Sequence, residues 1–217
     1  MSGPGPILVV NPNSNEAVTE GLDAALDPFR APGRPAIECL TLAEGPFGIE
    51  SQLDADAVIL PLARLVERRA DASAVVIACY SDPGLDACRS VTRAPVLGIG
   101  EAGIMTALAR ADRFGVIAVA EGSIPRHLRA LRRMGVLERL AGERAAGLSV
   151  AESAGEAAFE RLATVGAALV GDGARAVVLG CAGMARHRAA LEDRLDIAVI
   201  DPTHAAVAIA LGAVLAR

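Results

Sequence analysis

The sequence predicts an α/β fold: two similar parallel-sheet domains, helices on both faces of each, related by a pseudo-twofold axis with the candidate site in the cleft between them. Three observations predict it. Short apolar runs rich in Val and Ile alternate with longer segments of helical spacing, the pattern of parallel strands joined by crossover helices. The run Ala74-Val75-Val76-Ile77-Ala78-Cys79 is nearly repeated as Ala176-Val177-Val178-Leu179-Gly180-Cys181. Ile7-Leu8-Val9-Val10-Asn11-Pro12-Asn13-Ser14 reads in the same way against Val116-Ile117-Ala118-Val119-Ala120-Glu121-Gly122-Ser123, a buried strand opening into a polar loop. Internal self-similarity of this kind implies two copies of one unit.

In chain order, a strand at 6–10 leads into a helix at 15–27, for which Asn13 and Ser14 are candidate caps. A strand at 36–42 precedes a helix at 54–70, and a strand at 74–79 precedes a helix at 83–93. There Ser81 or Asp82 is placed to cap, with Pro83 in the first turn. A strand at 95–99 is followed by a helix at 101–111, and a strand at 115–120 by helices at 124–140 and 152–171. A strand at 176–180 feeds a helix at 184–194, and a strand at 197–200 feeds the terminal helix at 203–216. The seven strands are short and continuously apolar, as strands buried on both faces are.

The run Gly98-Ile99-Gly100-Glu101-Ala102-Gly103 reads as a hinge, with the second copy starting at Arg113. The helix at 203–216 must bury its apolar face somewhere, and packing it back on the first half gives domains of 1–98 plus 205–217, carrying Cys79, and 99–204, carrying Cys181. One continuous doubly wound sheet is the alternative. In both layouts ligands bind at the carboxyl ends of the strands.

Composition narrows the function. The chain has 217 residues, is 53% hydrophobic, and has no uninterrupted apolar stretch long enough to span a membrane. Met1-Ser2-Gly3-Pro4-Gly5-Pro6 lacks the basic start of a secretory signal, so a cytoplasmic location is expected. A net charge of -5, no basic runs and 2% aromatic residues exclude a nucleic-acid surface. All 21 basic residues are Arg, and without Lys there is no amine for a pyridoxal Schiff base. Cys39, Cys79, Cys88 and Cys181 form no CxxC pair, and His127, His187 and His204 form no helical ligand pair, so free thiols and no metal are expected.

Cys79 and Cys181 carry the chemistry. Each ends a strand just before a helix start, and at Cys79 the helix dipole is expected to lower the thiol pKa from about 8.5 toward neutral. The turn Ala182-Gly183-Met184 offers bare amides that can bind a carboxylate or an enolate oxygen. A single strand-end cysteine reads best as a small core residue. Two at matching points of a repeat read as a pair facing one substrate, the arrangement that inverts a carbon stereocentre. Cys39, inside a strand, and Cys88, inside a helix, read as core.

Five motifs then carry a family resemblance: Ile7 to Ser14, Gly45-Pro46-Phe47-Gly48-Ile49-Glu50, Cys79-Tyr80-Ser81-Asp82-Pro83-Gly84-Leu85, Gly180-Cys181-Ala182-Gly183-Met184, and Asp201-Pro202. Together, over essentially the whole chain, they resemble the hydantoin and allantoin racemases of the cofactor-independent aspartate/glutamate racemase superfamily. The resemblance implies a two-base mechanism in which Cys79 and Cys181 alternate as thiolate and thiol on opposite faces of the carbon alpha to a carbonyl. It implies no cofactor, a small-molecule substrate and a homo-oligomer.

The expected substrate is a 5-monosubstituted hydantoin or allantoin, because Ala182-Gly183 after the second cysteine is less polar than the followers in amino-acid racemases. The substrate-binding set expected around the two cysteines is Asn11, Asn13, Ser14, Tyr80, Ser81, Asp82, Ala120, Ser123, Ala182, Gly183 and Met184. Asn11 reads equally as a turn residue, and Asp82 reads first as a cap and only second as a substrate contact. Glu121 in the second-half loop would raise a thiol pKa if it pointed inward. His204 reads either as a substrate-orienting or as a packing residue. Arg126, His127, Arg129, Arg132 and Arg133 read as a solvated helical face or an oligomer contact. The alternatives within the superfamily are an amino-acid racemase, a maleate cis-trans isomerase and an arylmalonate decarboxylase. The alternative outside it is a two-lobed small-molecule-binding module with redox-sensitive or inert thiols.

Overall fold

The computed structural model describes residues 4–216; Met1, Ser2, Gly3 and Arg217, which belong to the expected leader reading and to the expected first domain, lie outside the described residues. Two four-stranded sheets, all parallel, repeat one topology. The first is ordered β2-β1-β3-β4, from β1 (Ile7–Asn11), β2 (Ile37–Thr41), β3 (Ala74–Ile77) and β4 (Val96–Gly98). The second is ordered β6-β5-β7-β8, from β5 (Phe114–Ala118), β6 (Leu140–Ala145), β7 (Ala176–Gly180) and β8 (Ala198–Ile200). β1 and β5 occupy the same position, and so do β3 and β7, which accounts for the two repeated sequence pairs.

Alternation along β1 separates two cores, as the two-residue period of a strand requires. Leu8 and Val10, with Val75 and Ile77, pack under α3 (Ile59–Arg68) and α4 (Leu85–Val91) through Leu62, Val66, Leu85 and Cys88. Ile7 and Val9 face the opposite way, into a core that also takes Phe114, Val116 and Val178 of the second sheet. The outer face of the second sheet, Ile117, Val177 and Leu179, is covered through Leu162, Leu169 and Leu191 by α8 (Phe159–Gly171) and α9 (Arg188–Leu195).

Two helices fill the shared core. α5 (Ile99–Arg110) packs on β7 and β8, while α10 (Pro202–Leu215) packs on α5 and reaches β3, so the terminal helix buries its apolar residues against the first sheet. The Gly98–Gly103 run is therefore not a hinge: α5 begins at Ile99, directly after β4. Its glycines are contact points, since a β-carbon on Gly103 would stand 2.9 Å from Pro202 Cβ.

Sequence periodicity misses β6, which lies between the helices expected over 124–140 and 152–171 and shares only Leu140 with the first. That helix, α6 (Ile124–Met134), stops at Gly135 in the left-handed region. β6 reads Leu-Ala-Gly-Glu-Arg-Ala, half-buried at a sheet edge, and has neither the apolar continuity of a central strand nor β-branched residues. Among the described residues no helix is long and apolar enough to cross a membrane.

Candidate active site

Cys79 and Cys181 follow β3 and β7 at their carboxyl ends and enter the same turn. The Asp82 amide donates to the Cys79 carbonyl at 2.9 Å, and the Met184 amide to the Cys181 carbonyl at 3.2 Å. Each turn brings the amide two residues on toward the sulfur, so the Ser81 amide opposes the rise of the Cys79 thiol and the Gly183 amide that of the Cys181 thiol. Gly183, whose amide was expected to meet a substrate carboxylate or enolate, lies outside the cavity lining, and its amide acts on the thiol instead. A side chain at Gly183 would crowd the second sulfur's surroundings, with a β-carbon 2.9 Å from Ser153 Oγ.

Both thiols line one cavity, which encloses about 540 Å³ of empty space counting its mouth. Its apolar wall is Val18, Ile49, Ala78, Val119, Ala120, Val150, Gly180 and Ala182, and its polar groups are Asn13, Glu50, Tyr80, Ser81, Ser123, Arg126 and His127. Among the described residues no group of three or more His, Cys, Asp or Glu stands together as a metal site.

Burial dominates the electrostatics of both sulfurs. It pushes the Cys79 thiol up to about 12, opposed by the Ser81 amide and, more weakly, by the Arg126 guanidinium, while charge on Cys181 or Asp82 adds to the rise. The Cys181 thiol is also raised, by burial first; the Ser153 hydroxyl, 3.6 Å from Sγ, and the Gly183 amide oppose it, and Glu50 adds to it. The expected lowering by a helix dipole is overturned. The field of a helix end is confined to its first turn, but α4 starts only at Leu85, after Gly84 in the left-handed region, and Cys181 is followed by a 3-10 turn at Ala182–His187.

The expected binding set divides. Asn13, Tyr80, Ser81, Ala120, Ser123 and Ala182 line the cavity with the two cysteines; Asn11, Ser14, Asp82, Gly183 and Met184 do not. Asn11 is fully buried and its amide donates to Asn13 Oδ1, the Asn15 carbonyl and Thr19 Oγ1, so it shapes the loop that presents Asn13. Ser14 holds the loop through its amide, which donates to the Pro46 carbonyl, and the cap of α1 (Glu16–Ala25) is Asn15. Met184 is core. Asp82 accepts from the Gly100 and Glu101 amides at 2.8 Å each, tying the Cys79 loop to the start of α5, and burial raises its carboxyl to about 7 despite those two bonds. Glu121 is exposed and lies outside the cavity lining. His204 is packed away from the site, with Nε2 2.7 Å from the Ala25 carbonyl oxygen and its ring edge-on to Phe29.

Arg126 and His127 correct the expectation of a solvated face. Arg126 Nε donates to Ser81 Oγ at 2.7 Å, and its terminal nitrogens donate to the carbonyls of Ile49, Glu50 and Gly122. His127 is buried, with Nδ1 2.5 Å from Glu143 Oε1 and Nε2 3.3 Å from Ser81 Oγ. Every third or fourth residue of α6 faces inward, and the pair of Arg126 and His127 begins that face; Arg129, Arg132 and Arg133 are exposed. Glu143 and Ser153 were missed altogether. No sequence signal marks Glu143, which lies in the strand that periodicity did not find.

This geometry has relatives. The profile of the Asp/Glu/Hydantoin racemase family matches residues 7–210. The chain belongs to that family. It is 37% identical over 211 residues to the hydantoin racemase of Paenarthrobacter aurescens, covering 94% of this chain and 89% of that one. It is 36% identical over 212 residues to the hydantoin racemase of Pseudomonas sp. strain NS671, covering 93% and 82% respectively. The solved allantoin racemase from Klebsiella pneumoniae superposes with a TM-score of 0.92 at 30% identity, over 99% of this chain and 89% of that one. Membership bears out the α/β class with two similar halves and makes the chain an isomerase rather than a binding module.

Within this racemase family member, one glycine ties the connecting helix to the Cys79 loop. A β-carbon on Gly100 would stand 2.2 Å from the Tyr80 carbonyl oxygen and 2.9 Å from Asp82 Oδ2. Gly100→Ala is expected to destabilise by about 1–3 kcal/mol, the usual penalty of overpacking, and to lower turnover because the displaced backbone carries Ser81. Denaturant unfolding alongside steady-state kinetics checks both.

Proposed function

We propose that this protein racemises 5-monosubstituted hydantoins or allantoin without a cofactor, by proton transfer between two cysteines. The observation that carries the proposal is one cavity receiving a half-buried thiol from the end of each sheet. One sulfur, as thiolate, takes the hydrogen from the carbon beside the ring carbonyl, and the carbonyl oxygen holds the charge as an enolate. The other sulfur, as thiol, returns its proton to the opposite face and becomes the thiolate. The ring supplies its own electron sink, so no Schiff base is required.

The polar groups of the wall favour a neutral ring over a zwitterion. A free amino acid needs partners for an ammonium and a carboxylate together. Glu50 is the wall's carboxylate, and its Oε1 accepts from the Val150 amide. Arg126 is the wall's guanidinium, and it is engaged by Ser81, Ile49, Glu50 and Gly122. Five-substituted hydantoins, allantoin and free amino acids, each supplied as one enantiomer and followed by loss of optical rotation, test this. Rotation is expected to decay with the cyclic ureides; decay with aspartate or glutamate alone would reject the substrate class.

A further inference from the structure

Beside Cys79 lies a buried constellation that thiol chemistry leaves unexplained. Glu143 is 1% exposed in its side chain, His127 5%, and Ser81 completes a chain of contacts from β6 to the cavity. By distance alone Ser81, His127 and Glu143 have the layout of a nucleophile, its base and the acid that orients the base. Counting hydrogens reverses that reading.

A buried carboxylate must have its charge matched. Among the described residues Glu143 has His127 as its hydrogen-bond partner through Oε1, while Oε2 has none. Arg126 directs its hydrogens to Ser81 and to three backbone carbonyls instead. Its charge still acts on Glu143. Arg126 Nε can only donate, and it does so to Ser81 Oγ at 2.7 Å, while His127 Nε2 stands farther off at 3.3 Å. A hydroxyl oxygen that accepts from a guanidinium is a poor nucleophile, and its own hydrogen becomes a stronger donor. That hydrogen points away from Arg126, and Ser81 lines the cavity. The Tyr80 ring, edge-on to His127 with centroids 4.8 Å apart, holds the imidazole plane.

We propose that His127 and Glu143 are a positioning pair that, with Arg126, locks the Ser81 hydroxyl as a hydrogen-bond donor into the cavity, aimed at the carbonyl oxygen that becomes the enolate. The inference rests on the racemase reading of the site and adds to it the source of oxyanion stabilisation. Donors held in place before the reaction are the ones that stabilise a developing charge without reorganisation.

A double-mutant cycle tests it, with Ser81→Ala on one axis and His127→Phe with Glu143→Leu on the other. Ser81→Ala is expected to lower kcat by about 10²-fold with KM changed far less, as loss of one oxyanion donor does, and Ser81→Thr to recover most of it. Replacing the pair is expected to lower kcat about tenfold or more in the native background and by no more than about twofold in the Ser81→Ala background, because residues acting through one group are not additive. Equal losses in both backgrounds overturn the proposal. So does covalent labelling of Ser81 by a fluorophosphonate, which would make it a nucleophile. If the pair variant does not fold, Ser81→Ala at native kcat, or Ser81→Thr as slow as Ser81→Ala, overturns it alone. A native protein inert toward every hydantoin overturns the racemase reading as well; an active one with additive losses overturns only this inference.

Discussion

Cys79→Ala and Cys181→Ala are each expected to lower kcat/KM for racemisation of a hydantoin by about 10²–10⁴-fold, the contribution of a positioned acid or base. The two sulfurs come from equivalent points of two sheets and line one cavity, so each variant keeps a sulfur on a single face of the ring. One face suffices to remove a proton and to return a solvent-derived one to the same side. Each variant is therefore expected to exchange the alpha hydrogen of one enantiomer without inverting it, and the two variants should favour opposite enantiomers. Chiral chromatography and mass analysis of substrate recovered from deuterated water read both quantities. Full racemase activity in either variant rejects the two-base scheme.

Activity is expected to rise steeply with pH. Burial raises both thiols, Cys79 to about 12, so at neutral pH the free protein holds the two in their protonated form. The reaction needs one thiolate and one thiol. Below the pKa of a thiol its thiolate fraction grows tenfold for each unit of pH, so log kcat/KM is expected to climb with a slope of about one between pH 7 and 9. Arg126 lies among the groups that lower the Cys79 thiol and Glu50 among those that raise Cys181, which gives the two sulfurs unequal surroundings. Removing the cation with Arg126→Gln should displace the rise to higher pH. A profile that is flat from pH 6 to 9 would show a thiolate already present in the free protein.

Much of this was legible in the sequence because it was written twice. The repeated strands ending in Cys79 and Cys181 sit at equivalent positions of two identically ordered sheets, and the apolar continuity of β1, β3, β5 and β7 marks central strands. What escaped follows from two physical causes. β6 is a half-buried edge strand of mixed polarity, so neither alternation nor apolar continuity marks it, and Glu143 was hidden with it. The first turn of α6 is polar because it meets the cavity, while Leu131 farther along joins the core, so Arg126 and His127 look like solvated residues until Ser81, Glu50 and Glu143 are placed against them. The thiol pKa was misjudged for a related reason: strand-end position is visible in the sequence, but burial is a property of the assembled cleft and outweighs the local backbone.

The central claim is that two sulfurs serve opposite faces of one carbon. Single-enantiomer hydantoin turned over in deuterated water, stopped early and separated by hand, tests it most directly. The account predicts deuterium at the alpha carbon of the newly formed enantiomer while the remaining substrate stays protonated, since the group that returns the proton is not the group that removed it. Deuterium appearing equally in both enantiomers from the first turnovers would mean one base working on both faces, and would contradict it.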